Sequence, residues 1–572
     1  MNALCPRRAR ARIREAMPRR LSIAALAFPF LIGAAPLTCQ EPPLPGERVD
    51  SIFAAWDHAD SPGAAVGVVR DGRLVLALGY GSADLGHGIP ITPQTRFHAA
   101  SEAKQFTAVT VLILVERNVL DLDDNVRKWL PEVPDFGTPI TIRHLLNHSS
   151  GLRDQWQALA LAGRHGDDAI TTADVLRMVE RQRSLNFEPG TMELYCNTGF
   201  TLLAEIVARA SGRSFADFAR QEIFEPLGMK STLFYDDLHT LVPERAESYS
   251  RDSETGEIER RVLNYAVPGA TSLLTTVEDM AKWLAELAAP TLRSPAFYAP
   301  LYDRDTLNDG TEVIWGYGMT AEEHRGHVRL GHGGGDAGFR AYSVRFPEHD
   351  LGVIVLSNLA QMNPGPFGDA LALRVADLFL PPDREPDVAA EPDDAPDLDL
   401  DRFVGSYRLP DDSVLTVTNE FGTLVLRFSP TGREIVLRPE EGASFLAGAP
   451  SLDRVSFATD GTAAAWLRLE SQGGATTAER VDALPAGGAG AYAGVYYSDE
   501  LGTTWTLEER EGGLAARHLM YRDVTLEPVV RDLFEGDAWF FGEIRFTRDP
   551  AGLVDGFMLN AGRIKKVRFT RR

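Results

Sequence analysis

At 572 residues the chain is too long for a single core and has room for three or four domains. Hydrophobic residues make up 44% and charged residues 24%, an ordinary balance for a folded protein, and the formal net charge of -23 argues against non-specific nucleic-acid binding because phosphates would be repelled. Of the cysteines, Cys5 and Cys39 lie in or beside the N-terminal stretch, so removal of that stretch would leave Cys196 alone and exclude an intrachain disulfide.

That stretch opens the chain with Arg7, Arg8, Arg10, Arg12, Arg14, Arg19 and Arg20, followed by the apolar run Leu21 to Ala35. A basic segment before a short apolar one reads as a secretory signal over residues 1–40, with Met17 an alternative start. Export to the periplasm or the outside is the expectation. A retained membrane anchor is the alternative, and Leu37-Thr38-Cys39 hints at lipidation although Thr38 departs from the small residue that signal prefers.

From Gly63 the pattern becomes that of a hairpin, with Asp71-Gly72 as its turn between Gly63–Val69 and Arg73–Leu78. A second hairpin is predicted at Phe339–Phe346 and Leu351–Leu356, joined by Pro347 to Asp350. Between them the apolar spacing predicts helices at Ser101–Arg117, Ile142–Leu146, Thr172–Arg181, Phe200–Ala210, Phe215–Ile223 and Val277–Leu287. Hairpins at both ends of a helical middle predict an α+β domain over residues 44–380, one antiparallel sheet built from the two ends of the chain with helices packed on it.

Residues 381–400 carry five prolines and eight acidic residues against one basic residue, which reads as an interdomain linker. Beyond it short strands and glycine turns take over, and two segments look like copies. Phe403-Val-Gly-Ser-Tyr407 matches Tyr492-Ala-Gly-Val-Tyr496, and Val455-Ser-Phe457 matches Ile544-Arg-Phe546, at one offset of about 89 residues. Two all-β modules follow, 401–484 and 485–572, each long enough for a barrel or half-open sheet of about eight strands.

Ser101-Glu102-Ala103-Lys104 stands at the start of the apolar run Ala108 to Val115. Residues three apart share a helix face, so Ser101 and Lys104 can point into one space as a nucleophile and a potential base. In isolation the tetrad also fits a capping serine followed by an exposed lysine. Two further elements shift the weight: Phe187-Glu-Pro-Gly190 with Tyr195-Cys196-Asn197 leading into a helix, and Leu330-Gly-His332-Gly333-Gly334-Gly335-Asp336 entering the second hairpin.

In that order the three elements resemble the serine β-lactamase and penicillin-binding-protein superfamily, in its class C-like branch of esterases, D-aminopeptidases and related hydrolases. Supporting similarity runs through Leu120-Asp-Leu-Asp-Asp124, Ile140 to Gly151 and Trp315-Gly-Tyr-Gly318. The resemblance implies a β-lactamase-like fold over 44–380, with barrel-like modules behind it. It implies Ser101 as nucleophile, Lys104 and Tyr195 as proton carriers, and His332 beside the substrate or Tyr195. Asn197 would hold substrate or Lys104, Gly334 and Gly335 would let the strand approach substrate, and the N–H groups of Ser101 and Gly335 would receive the oxyanion.

The function implied is an exported serine hydrolase acting on an ester, a small peptide or an amide, a peptide with D-residues included, without metal or other cofactor. β-Lactamase or DD-carboxypeptidase activity and a non-catalytic binding or assembly protein of the same fold are the alternatives. Arg340 reads as an exposed charge on an edge strand, with substrate carboxylate binding as the other reading. His144 and His148 share metal-ligand spacing but lack an acidic third member. Glu102 departs from the apolar residue usual after the nucleophile, and its charge is expected to favour protonated Lys104.

Overall fold

A computed structural model describes residues 46–365, 370–381, 399–481 apart from short interior breaks, and 488–572. The predicted signal and nearly all of the predicted linker lie outside these residues. Among the described residues no helix is long and apolar enough to cross a membrane.

The predicted sheet is present, with six antiparallel strands. Ala64–Arg70 (β1) and Arg73–Tyr80 (β2) form the first hairpin, and Thr320–His324 (β3), His327–Asp336 (β4), Phe339–Phe346 (β5) and Leu351–Ser357 (β6) complete the order β3-β4-β5-β6-β1-β2. Asp71 and Gly72 both have left-handed backbone, as a two-residue turn matched to strand twist requires. The strands alternate with period two. Val66, Val68, Val353 and Val355 face one core cluster, whereas Ala65, Val69, Ile354 and Leu356 face the other.

The two faces are covered by different parts of the chain. Gly46–Phe53 (α1) and a helix near the end of the domain, Leu371–Ala376, pack on the first face. On the second face lie Ala103–Glu116 (α2), Gln155–Leu161 (α3), Asn197–Ser211 (α4) and Val277–Ala288 (α5). Helix α2 is buried from Ala103 to Leu114, so its polar residues Lys104 and Gln105 are enclosed with it. The predicted Phe215–Ile223 helix divides into an α-helical turn, Phe215–Ala219, and a wider π-type turn, Arg220–Phe224.

Behind the domain stand two closed antiparallel barrels of eight strands, Gly405–Arg408 through Gly474–Val481 and Gly494–Ser498 through Ile564–Arg571. The repeated motifs occupy equivalent places. Tyr407 donates its hydroxyl to Phe403 O at 2.7 Å and Tyr496 donates to Tyr492 O at 2.7 Å. The first aromatic of each motif meets the later phenylalanine in the same way, Phe403 with Phe457 at 4.7 Å and Tyr492 with Phe546 at 4.5 Å between ring centres.

Candidate active site

A short strand, Phe97–His98, delivers the chain to a 3-10 turn, Ala100–Glu102, that runs into α2. Ala100 is left-handed, φ 49°, a conformation that strains an L-residue, and its N–H donates to the His98 ring at 3.2 Å. The turn presents Ser101 at the surface of the cleft while Lys104, one turn on, is fully buried. Lys104 Nζ donates to Ser101 Oγ at 3.0 Å, to Asn197 Oδ1 at 2.8 Å and to Ala270 O at 2.7 Å. Burial pushes the amine down to about 7, against the pull of Asp336 and Asp154.

Ser101 lies beside the Tyr195 hydroxyl and favours its ionised form, but burial outweighs it and holds the phenol well above its ordinary range. Its ring lies 4.9 Å from Lys104 Nζ. Asn197 opens α4, and its N–H and Nδ2 both donate to Asp154 Oδ2, at 2.8 and 2.9 Å. That fixes the amide with Oδ1 toward Lys104.

The third element comes from β4. His332 is buried, its ring 6.2 Å from Tyr195 and 4.9 Å from Trp315, and burial with nearby Lys104 lowers it to about 3, so it is neutral. Its Nδ1 contacts Gly333 O at 2.5 Å. Gly334 faces the nucleophile turn so closely that a Cβ there would stand 2.2 Å from Ala99 O and 3.1 Å from Ser101 N. Glycine is required by that contact. Gly335 follows, paired with Arg340 across the hairpin. The structure therefore gathers Ser101, Lys104, Tyr195, Asn197, His332 and Gly334 around one cleft, with Gly335 at its strand edge.

A family model described as Beta-lactamase matches residues 49–378. The chain belongs to the beta-lactamase family. It is a serine hydrolase of the β-lactamase-related type. It is 31% identical over 406 residues to penicillin-binding protein 4* of Bacillus subtilis, covering 67% of this chain and 87% of that one. It is 30% identical over 301 residues to a D-aminopeptidase of Brucella anthropi, covering 53% of this chain and 57% of the relative, little more than half its length. The octameric penicillin-binding protein homologue from Pyrococcus abyssi shares the fold, with a TM-score of 0.53 at 24% identity over 76% of this chain and 99% of its own.

Several expectations for this beta-lactamase domain need correction. Glu102 does not face Lys104: it is fully buried and accepts from Ser343 N and Oγ, both at 2.6 Å, and from Gln105 Nε2 at 2.5 Å. Burial raises its carboxyl to about 8 against the pull of these three donors, and the bonds tie the nucleophile turn to β5. Arg340 is not on an edge, because β3 and β4 lie outside β5. Half-buried, it donates to Ala337 O at 3.2 Å and Phe339 O at 2.7 Å.

His144 and His148 diverge. His144 Nδ1 accepts from Thr141 N at 3.2 Å in a capping box, whereas His148 Nδ1 accepts from Cys196 N at 3.1 Å and its ring stacks 4.4 Å from Tyr195. Among the described residues one other group has ligand character: His327, five residues before His332 on β4, with Glu348 and His349 from the turn between β5 and β6, His327 Nδ1 and His349 Nε2 standing 3.0 Å apart.

Three residues of the site had no assigned role in the sequence. His148 carries only metal-ligand spacing in the sequence, yet its place after Ile142–Leu146 brings its ring within 4.4 Å of the Tyr195 ring. Asp154 follows the quoted Ile140–Gly151 stretch by three residues, and a capping aspartate before α3 is a legible signal. Arg563 sits 462 positions beyond Ser101, and nothing in its own segment, Ala561-Gly-Arg-Ile564, marks it. Its guanidinium carbon lies 4.7 Å from the centre of the Tyr195 ring.

Proposed function

We propose that this chain is an exported serine hydrolase that forms an acyl-enzyme on Ser101 and hydrolyses an ester, a small peptide or an amide, with D-residue peptides as the favoured class. One observation carries the reading: a fully buried amine brought down to about 7 and held 3.0 Å from Ser101 Oγ is a base at neutral pH. Ser101 Oγ attacks the carbonyl carbon as its proton moves to Lys104 Nζ, and the carbonyl electron pair shifts to oxygen. The backbone N–H groups of Ser101 and Gly335 receive that oxyanion, a contact worth about 3–4 kcal/mol per donor where measured. Collapse breaks the bond to the leaving amine or alcohol, which takes the proton by way of Tyr195. Water then attacks the ester, returns a proton through the same pair and frees the acid, restoring the serine hydroxyl.

The name of the D-aminopeptidase relative supports the choice of D-residues, and the basic and apolar N-terminal stretch supports export. A panel of p-nitrophenyl esters, D-aminoacyl amides and penicillins, assayed on wild type and Ser101→Ala, tests the reading. Turnover of an ester or amide is expected in wild type, with a loss of roughly 10³-fold or more in the variant. Equal turnover by Ser101→Ala, or no turnover of any member by wild type, would overturn it.

A further inference from the structure

The last hairpin of the second barrel, turning at Ala561 to Ile564, enters the catalytic cleft. It is held there by backbone. Arg563 O accepts from Asp154 N at 3.3 Å and from Asn186 Nδ2 at 3.0 Å, and Lys565 N donates to Asn186 Oδ1 at 2.7 Å. None of these bonds uses the Arg563 side chain. Its guanidinium lies over Tyr195, with Nη1 3.6 Å from Asp154 Oδ2, and 41% of the side chain is exposed. Asp154 Oδ2 already accepts two bonds from Asn197, so the arginine is not needed to satisfy it.

What the side chain adds is charge. The polar and ionisable groups around Lys104 and Tyr195 come from five directions: Ser101 on the turn before Lys104, Cys196 next to Tyr195 before α4, Asp154 before α3, His332 and Asp336 on β4, and His148 on the loop beyond Asn147. Burial keeps His332 and His148 neutral and pushes the Cys196 thiol up to about 12. Asp154 and Asp336 both favour protonated Lys104, and Arg563 is the cation that opposes them.

We propose that Arg563 is a positioning residue of the hydrolase site, a cation that the second barrel lays on the Tyr195 ring to balance Asp154 and Asp336 around Lys104 and Tyr195. The proposal rests on Lys104 acting as base for Ser101. Lys104 Nζ and the Arg563 guanidinium lie 4.9 and 4.7 Å from one ring centre and so no more than about 10 Å apart. At that range, with an effective dielectric between about 20 and 80, loss of the cation raises the proton affinity of Lys104 by roughly 0.3–1 pH unit.

The test is the rate at which a fluorophosphonate labels Ser101, read by intact mass from pH 5 to 9 on the full chain. Wild type is expected to show an acid limb near pH 7. Arg563→Gln should move that limb upward by roughly 0.3–1 unit and Arg563→Lys should restore it. Arg563→Met, which covers the ring without charge, replaces Arg563→Gln if the latter unfolds on heating earlier than wild type. A limb unmoved in the neutral variants, or moved equally in Arg563→Lys, overturns the proposal while the hydrolase reading stands. Labelling that survives Ser101→Ala overturns that reading instead, and the proposal with it.

Discussion

The two barrels share one sequence motif and one internal design, yet they meet their neighbours differently. In the first, Tyr407 pairs across the strands with Leu415; in the second, Tyr496 pairs with Trp505, whose indole N–H donates to Leu161 O at the end of α3, 3.0 Å away. Asp411 accepts from Ser413 N and Oγ within its own turn, whereas Glu500, 89 positions later, reaches Arg153 of the catalytic domain at 2.5 Å. Arg153 is almost fully enclosed and also donates to Asn186 Oδ1 at 3.1 Å, Ser184 Oγ at 2.9 Å and Lys565 O. Among the described residues the first barrel meets the second through Val414 and Val481 against Val530 and Leu533, with Arg545 of the second barrel acting on Asp411. A duplicated scaffold has thus been given an active-site role in one copy by a few side chains at one end of the barrel.

The strongest way to break this comparison is Glu500→Ala beside Asp411→Ala. Removing one member of a buried ion pair leaves the other charged and unpaired, at a cost of about 3–5 kcal/mol. Because Arg153 adjoins Asp154, which orients Asn197 toward Lys104, turnover should fall with stability. Asp411→Ala removes a turn cap and should cost about 1 kcal/mol with turnover intact. Thermal unfolding and ester turnover measured on both variants check this, and equal losses in the two would show that the second barrel is not specially coupled to the site.

The difference between the copies also marks where sequence reasoning stops. The Asp71-Gly72 hairpin and most of the helices, Gln155–Leu161 excepted, are legible as local patterns, whereas Ser101, Tyr195 and His332 become legible only together, through the resemblance their three motifs carry in that order. The barrels were legible as a repeat, and their closure is a matter of strand number and pairing that the repeat left open. Arg340 falls on an edge in the sequence because His327–Asp336 reads there as a glycine-rich entry to the hairpin, whereas it is a strand that pairs along the outer side of Phe339–Phe346. For Glu102 a local rule was available: residues two apart on a helix do not face each other, so a charge at 102 points away from Lys104. Arg563 had no such rule. Its role follows from which end of a barrel meets the cleft, a fact fixed by docking.

Trp505→Phe beside Leu415→Val sharpens the comparison at the paired positions. The first change removes the hydrogen bond to Leu161 O, about 1 kcal/mol, and part of a buried ring that packs 4.8 Å from both His518 and Phe541. The second removes one buried methylene, about 1 kcal/mol. Both should lower the unfolding temperature, and Trp505→Phe alone should also lower turnover, since α3 follows directly on Asp154. Unchanged turnover in Trp505→Phe would separate the barrel's packing on α3 from the site.

The smallest effect is expected where the copies are alike. Tyr407→Phe and Tyr496→Phe each delete a buried hydroxyl that donates at 2.7 Å to a carbonyl four residues back, and leave the ring in place. Each should cost about 1 kcal/mol, the net value of such a bond. The two losses should agree because the geometry agrees, and turnover should stay at the wild-type level in both. A larger stability loss from Tyr496→Phe would mean that docking transmits strain into the interior of the second barrel. A loss of turnover there would extend the active-site coupling from the Arg563 hairpin and Glu500 to the whole barrel, whereas equal, silent losses confine it to the end that touches Arg153 and Tyr195.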